Sequence, residues 1–198
     1  MSVTIALVAE KGAGKSAFIE IVKKLLPDRK IASVRFSDIW VEILTLLGKE
    51  PSRQNISTLA TAVRNALNDD GIRIPAMRKR LAAAGADVIV LDGLRKPEEA
   101  ALVKERGGFL VYITANRRAR YERSRERPEK GDEFGMTWDQ FLAQEELLTE
   151  VSIHDIGITM ADVTIENNGS LKEFEERIKE FVKTHIRPAI PRAYHAEP

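Results

Sequence analysis

Residues 3–26 read VTIALVAEKGAGKSAFIEIVKKLL, and this stretch decides the fold. Residues 3–8 are apolar and rich in β-branched side chains, which predicts a strand. Gly12 and Gly14 interrupt the run with a turn. Residues 17–26 then carry apolar groups at helical spacing until Pro27 stops the helix. Strand, glycine turn and helix in this order form the opening unit of an open α/β sheet.

The same alternation continues along the chain. Strands are predicted over 31–36, 87–91, 109–114 and 163–165. Helices are predicted from Asp38 to about 47, over 57–67 and 74–84, from Pro97, and over 117–127. Two more open at the capping boxes Thr137/Gln140 and Ser170/Glu173, the last running to about 183. The segment 87–91, DVIVL, is apolar on both faces, as a buried parallel strand is. Strands alternating with helices imply βαβ units and a parallel sheet covered on both sides. One domain is expected over 1–185. Residues 38–84 form its long helical insertion, 128–136 a charged loop with two glycines, and 186–198 a proline-containing tail.

Composition narrows the function. The chain has 198 residues, 31 Lys and Arg against 30 Asp and Glu, a net charge of +1, and no cysteine. That balance suits a soluble globular domain and gives no long-range reason to expect nucleic acid. The absence of cysteine removes disulfides, thiolate metal sites and cysteine nucleophiles, and fits a reducing cytoplasm. Three histidines, none spaced like metal ligands, argue against zinc. The N-terminal apolar run is too short to span a bilayer and has no basic leader, so a cytoplasmic protein with no membrane partner is expected.

The turn after the first strand carries the chemistry. Ala9-Glu10-Lys11-Gly12-Ala13-Gly14-Lys15-Ser16 resembles the Walker A pattern G-x-x-x-x-G-K-[ST], with Ala9 in place of the first glycine. Gly12 and Gly14 let the backbone curl so that several amides face one anion. Lys15 would reach the β- and γ-phosphates, Ser16 would ligate magnesium, and the helix from Ala17 would offer its positive end. Lys11 to Ala17 are therefore the candidate nucleotide-binding residues. Asp92 ends the third strand, beside this loop in an open sheet, where it would hold magnesium. In Asp92-Gly93-Leu94-Arg95, Arg95 would contact the transferred phosphate or its acceptor.

The strand followed by Asp-Gly-x-Arg resembles the D-G-[FY]-P-R segment of adenylate kinases, without the proline. The ordered set is similar to small P-loop proteins described as nucleotide-kinase-like or dephospho-CoA-kinase-like. It comprises the phosphate loop, Asp38 after the second strand, Asp92-Gly93-Leu94-Arg95, Arg120-Tyr121-Glu122-Arg123 with Arg127, Thr137-Trp138 with Phe141, and Ala161-Asp162 through Phe174. The resemblance spans about residues 3–182. It implies a three-layer P-loop kinase with five parallel strands in the order 2-3-1-4-5, ATP and Mg2+ as cofactors, and a small nucleotide-like acceptor. A nucleoside monophosphate is the first choice. Dephospho-CoA and a regulatory P-loop ATPase or nucleotide switch are the alternatives. Arg123 and Arg127 would bound a lid over 128–136, one stacking on the base and the other reaching phosphate. Asn167 and Gly169 would border the adenine.

Other residues carry two readings each. Asp38 is either a general base or acceptor-orienting group, or a helix cap. Arg64 either holds the acceptor's phosphate or points to solvent. Arg117, Arg118 and Arg125 read as a solvated face, and a nucleic-acid groove is the least favoured reading of that helix. Trp40 and Trp138 read as packing residues.

Overall fold

The computed structural model describes residues 2–126, 136–146 and 148–190. Strand β1 (Val3–Ala9) leads through the glycine turn into helix α1 (Lys15–Leu25). Strand β2 (Ile31–Arg35) follows, then the helical insertion: α2 (Asp38–Leu46), α3 (Arg53–Leu67) and α4 (Ile74–Ala83). Strand β3 (Val88–Asp92), α5 (Pro97–Glu105), β4 (Phe109–Thr114) and α6 (Arg117–Glu126) complete the second half of the sheet unit. Helices α7 (Trp138–Glu145) and α8 (Leu148–Met160), strand β5 (Val163–Glu166) and α9 (Leu171–Phe181) close the chain's main body.

All five strands are parallel, in the order β2-β3-β1-β4-β5, as the resemblance implies. Alternating side chains along each strand feed two separate cores. Ile5, Leu7, Val90, Val111 and Ile165 pack with Phe18 and Val22 of α1 and Phe174 and Ile178 of α9. Ala6, Val8, Ile89, Leu91 and Tyr112 pack on the other face with Leu81 of α4, Val103 of α5 and Ile156 of α8. Helical layers cover both faces of the sheet, so β1 and β3 are apolar on both faces, with Thr4 and the terminal Asp92 as the polar exceptions. A third cluster, Tyr121, Met136 and Phe141 with Trp138 against it, joins α6 to α7. Trp138 and the buried Trp40 are packing residues, as read from the sequence. No described helix is long and apolar enough to cross a membrane.

The expected tail starts too early. After α9 the chain makes one π-helical turn, Val182–Ile186, and a short helix α10, Arg187–Ala189. Ile186 and Ile190 are buried in the first core. Pro188 does not end this helix, because it sits in the first turn of α10, where the missing N–H costs nothing. Arg187 donates from Nη2 to the Leu25 carbonyl, at 2.9 Å, and so satisfies an end carbonyl of α1. Ile186→Ala should lower unfolding free energy by about 2–5 kcal/mol, measured by denaturant titration, since the side chain has no solvent exposure. A change under about 0.5 kcal/mol would mean that the segment is not part of the cooperative fold.

Candidate active site

The phosphate loop curls by two left-handed glycines, Gly12 at φ +73° and Gly14 at φ +110°. Other residues are strained there, and space excludes them too. A Cβ on Gly12 would overlap the Arg120 carbonyl, and one on Gly14 would overlap the Asn167 amide. The Ala13 side chain is buried in the first core, which anchors the loop between the two glycines. Gly14 is the N-cap of α1, so Lys15 and Ser16 open that helix and Ala17 packs against the core. The loop therefore presents the N-terminal amides of α1 at the carboxyl edge of the sheet. Lys11 leans away from its neighbours: its ammonium donates to Gln144 Oε1 of α7 at 2.7 Å and lies 3.8 Å from Met136 Sδ.

Lys15 and Asp92 meet at this edge, with Nζ 3.0 Å from Oδ1. Parallel pairing of β1 with β3 sets both residues at the same end of the sheet. Asp92 is 9% exposed, accepts the Gly93 amide at 2.5 Å, and lies 3.9 Å from Arg35 Nε. Asp38 is the first residue of α2, and its Oδ2 accepts the Arg35 amide at 2.9 Å. One carboxylate oxygen thus closes the β2–α2 turn.

The side toward the helical insertion is rich in arginine. Arg64 of α3 folds its Nε back onto the Ala60 carbonyl at 3.1 Å. Arg73, the N-cap residue of α4, escaped the sequence reading. It pairs through Nη2 with the buried Glu99, donates through Nη1 to the Phe36 carbonyl at 3.3 Å, and stacks on the Phe36 ring. Glu99 also accepts the Arg95 amide at 2.8 Å, so one carboxylate fixes both Arg73 and the backbone of the Asp92–Arg95 segment. Burial pushes the Arg73 pKa down; Glu99 opposes the shift, and the charges of Arg64 and Arg95 add to it. The Arg73 guanidinium thus lies within reach of the charges of both Arg64 and Arg95. Burial likewise raises the Glu99 pKa, against the pull of Arg73 and the backbone amides of Arg95 and Lys96. Glu99 reads in sequence as an ordinary first-turn acid of α5, and nothing local distinguishes it.

The arginine helix α6 divides its residues between three environments. Arg118 lies on the exposed side, paired with Glu122 at 2.9 Å and set over the Tyr121 and Trp138 rings. Arg120 is 2% exposed. Its guanidinium donates to the Ala115 carbonyl at 3.0 Å, the Lys11 carbonyl at 3.3 Å, and both carboxylate oxygens of Glu145, and it lies 3.6 Å from Glu10. Glu10 also accepts from Thr114 Oγ1 at 2.6 Å. Burial alone would lower the Arg120 pKa, but Glu145 and Glu10 outweigh it and raise the value. Arg123 donates from Nη2 to the Asn167 carbonyl at 2.8 Å, while its buried Nη1 has no partner among the described residues. Arg127 and the expected lid, apart from Met136, lie outside the described residues.

Asn167 is 7% exposed, and its Nδ2 donates to the Ala13 carbonyl at 2.9 Å. Its side-chain amide is thus engaged by the phosphate loop. Gly169 lies beyond it on the exposed rim, just before the Ser170/Glu173 capping box. The structure therefore gathers Lys11 to Ala17, Asp92, Arg123 and Asn167 around one loop. Asp38, Arg64 and Arg95 lie toward the helical insertion.

No family model matches the chain. It is 28% identical over 176 residues to a UPF0200 protein of Thermococcus kodakarensis, an alignment covering 86% of this chain and 91% of that protein. A UPF0200 protein of Methanopyrus kandleri is 29% identical over 196 residues, covering 92% and 90% respectively. Among solved structures, shikimate kinase from Bacteroides thetaiotaomicron superposes with a TM-score of 0.56 at 14% identity, covering 91% of this chain and 98% of that one. Shikimate kinase from Acinetobacter baumannii in complex with shikimate gives a TM-score of 0.52 at 17% identity, covering 96% and 97%. The fold is that of the P-loop kinases. At these identities the solved structures fix the fold and leave the substrate to the site itself.

Proposed function

We propose that the protein transfers a phosphoryl group from ATP, with magnesium, to a small nucleotide-like acceptor, and that the acceptor is a nucleoside monophosphate. The observation that carries this reading is the Lys15–Asp92 pair at the loop edge, with Arg64, Arg73 and Arg95 on the insertion side. A loop of amides with a lysine suits the donor's β- and γ-phosphates. An arginine-rich wall opposite suits an acceptor that is itself an anion. Ser16 and Asp92 fit magnesium: one hydroxyl and one carboxylate at the phosphate site, where this ion keeps waters and phosphate oxygens for its remaining positions. No group of three His, Cys, Asp or Glu side chains gathers among the described residues to form a separate cage. When bound, magnesium would neutralise charge developing on the transferred group.

In this scheme Lys15 leaves Asp92 to follow the γ-phosphate, and Arg95 neutralises charge between donor and acceptor. Arg123, with one nitrogen held by Asn167, keeps a second, buried nitrogen without a partner among the described residues, and that nitrogen would turn to the nucleotide in this scheme.

A hydroxyl acceptor, such as dephospho-CoA, is the second reading, and the position of Asp38 at the start of α2 favours it. The two diverge at Asp38→Asn. A hydroxyl acceptor needs a base, and losing it should cost roughly 10²–10⁴-fold in kcat. A monophosphate acceptor is already ionised, so the variant should show its loss in acceptor KM with kcat within about tenfold of the parent. We expect the second pattern, read in a radiolabelled-ATP screen of nucleoside monophosphates and dephospho-CoA. Hydrolysis of ATP with transfer to none of these acceptors would move the regulatory ATPase reading to first place.

A further inference from the structure

We propose that Arg120 and Asn167 are positioning residues that set the direction of two amides in the phosphate loop, those of Gly12 and Gly14. The inference rests on the reading of this loop as a phosphate site. It starts from the trans peptide, in which the carbonyl of one residue and the N–H of the next point in opposite directions. Arg120 Nη1 holds the Lys11 carbonyl and Asn167 Nδ2 holds the Ala13 carbonyl. The Gly12 N–H is therefore turned away from Arg120, and the Gly14 N–H away from Asn167. Both amides are thereby directed to the side of the loop that the protein leaves for an anion.

These two peptides need such restraint more than their neighbours. Flipping a peptide changes ψ of the first residue and φ of the second. In the Lys11–Gly12 and Ala13–Gly14 peptides the second residue is glycine, which accepts either sign of φ, so steric conflict does not fix the plane. In Gly12–Ala13 and Gly14–Lys15 a flip would force a side-chain-bearing residue toward positive φ, which its Cβ resists. The two planes that backbone sterics leave free are thus the two that a buried side chain holds. Both donors are themselves fixed. Arg120 is clamped by Glu145, Glu10 and the Ala115 carbonyl. Asn167 is held through its backbone amide on the Thr114 carbonyl at 2.7 Å and through its carbonyl by Arg123. A loop that needs no reorganisation when phosphate arrives binds it more tightly.

Removing Arg120 alone would strand two mostly enclosed carboxylates, 12% and 13% exposed, and so threaten the fold, so the test removes the charges together: Arg120→Met with Glu145→Leu and Glu10→Gln. Asn167→Leu removes the other donor without adding charge. Each protein is titrated with a non-hydrolysable ATP analogue and magnesium by calorimetry, and the Gly12 and Gly14 amide resonances are followed by 1H–15N NMR. In the parent both amides should move downfield as they donate to phosphate. In the triple variant the Gly12 shift should be lost while Gly14 keeps most of its own; in Asn167→Leu the pattern should reverse. Each variant should bind the analogue about tenfold more weakly or worse. A folded variant that binds within about twofold of the parent, or that loses both glycine shifts together, would overturn the proposal. If the parent itself binds the analogue without moving either glycine, the phosphate-site reading falls, and this proposal with it.

Discussion

Lys15→Ala should lower phosphoryl transfer by about 10²–10³-fold, the cost of removing one preorganised charged donor from a transition state whose charge spreads over the moving group. The melting temperature should fall only slightly. Lys15 belongs to neither core, and its side chain is 29% exposed. Its partner Asp92 keeps the Gly93 amide and the nearby Arg35 after the lysine is gone. Steady-state kinetics beside a thermal melt separates the two effects. Turnover near that of the parent would remove Lys15 from the chemistry. A collapse of the melt together with activity would make the Lys15–Asp92 pair a structural element first.

Asp92→Asn should cost about 10²-fold or more in turnover and raise the magnesium concentration needed for half-maximal rate. Asparagine keeps the shape and one acceptor oxygen for the Gly93 amide, so the turn after β3 survives. What it loses is the negative charge that would hold the cation and that now faces Lys15 at 3.0 Å. The measurement is a magnesium titration of initial rate at saturating ATP. An unchanged magnesium dependence would leave Asp92 as a lysine-holding residue only.

These two variants bear on residues that the sequence already marked as candidates, because the phosphate loop and the Asp-Gly-x-Arg segment are local patterns. The arginine-bearing features around them were not equally visible. Arg118 and Arg120 stand two places apart on one helix, yet one reaches solvent and stacks on rings while the other is sealed in the interior. The difference lies in Glu10, from the turn after β1, and Glu145, from α7, which converge on Arg120 from distant parts of the chain.

The sequence by itself determined the sheet's strands, their two apolar faces, the glycine turn with Lys15 and Ser16, and both capping boxes, which form as expected at Thr137/Gln140 and Ser170/Glu173. Each of these rests on residues a few positions apart, where periodicity and capping chemistry act directly. The tertiary structure decided the rest. It joined Arg73 to Glu99, drew the Asn167 amide onto the Ala13 carbonyl, and buried Ile186 and Ile190 where prolines had suggested a tail. The physical reason is common to all three. A charged or polar side chain is buried only when its partner arrives with it, and an apolar one only when a surface is there to cover it. In this protein those partners come from elements far apart in the chain, and only the parallel sheet and its two helical layers bring them together.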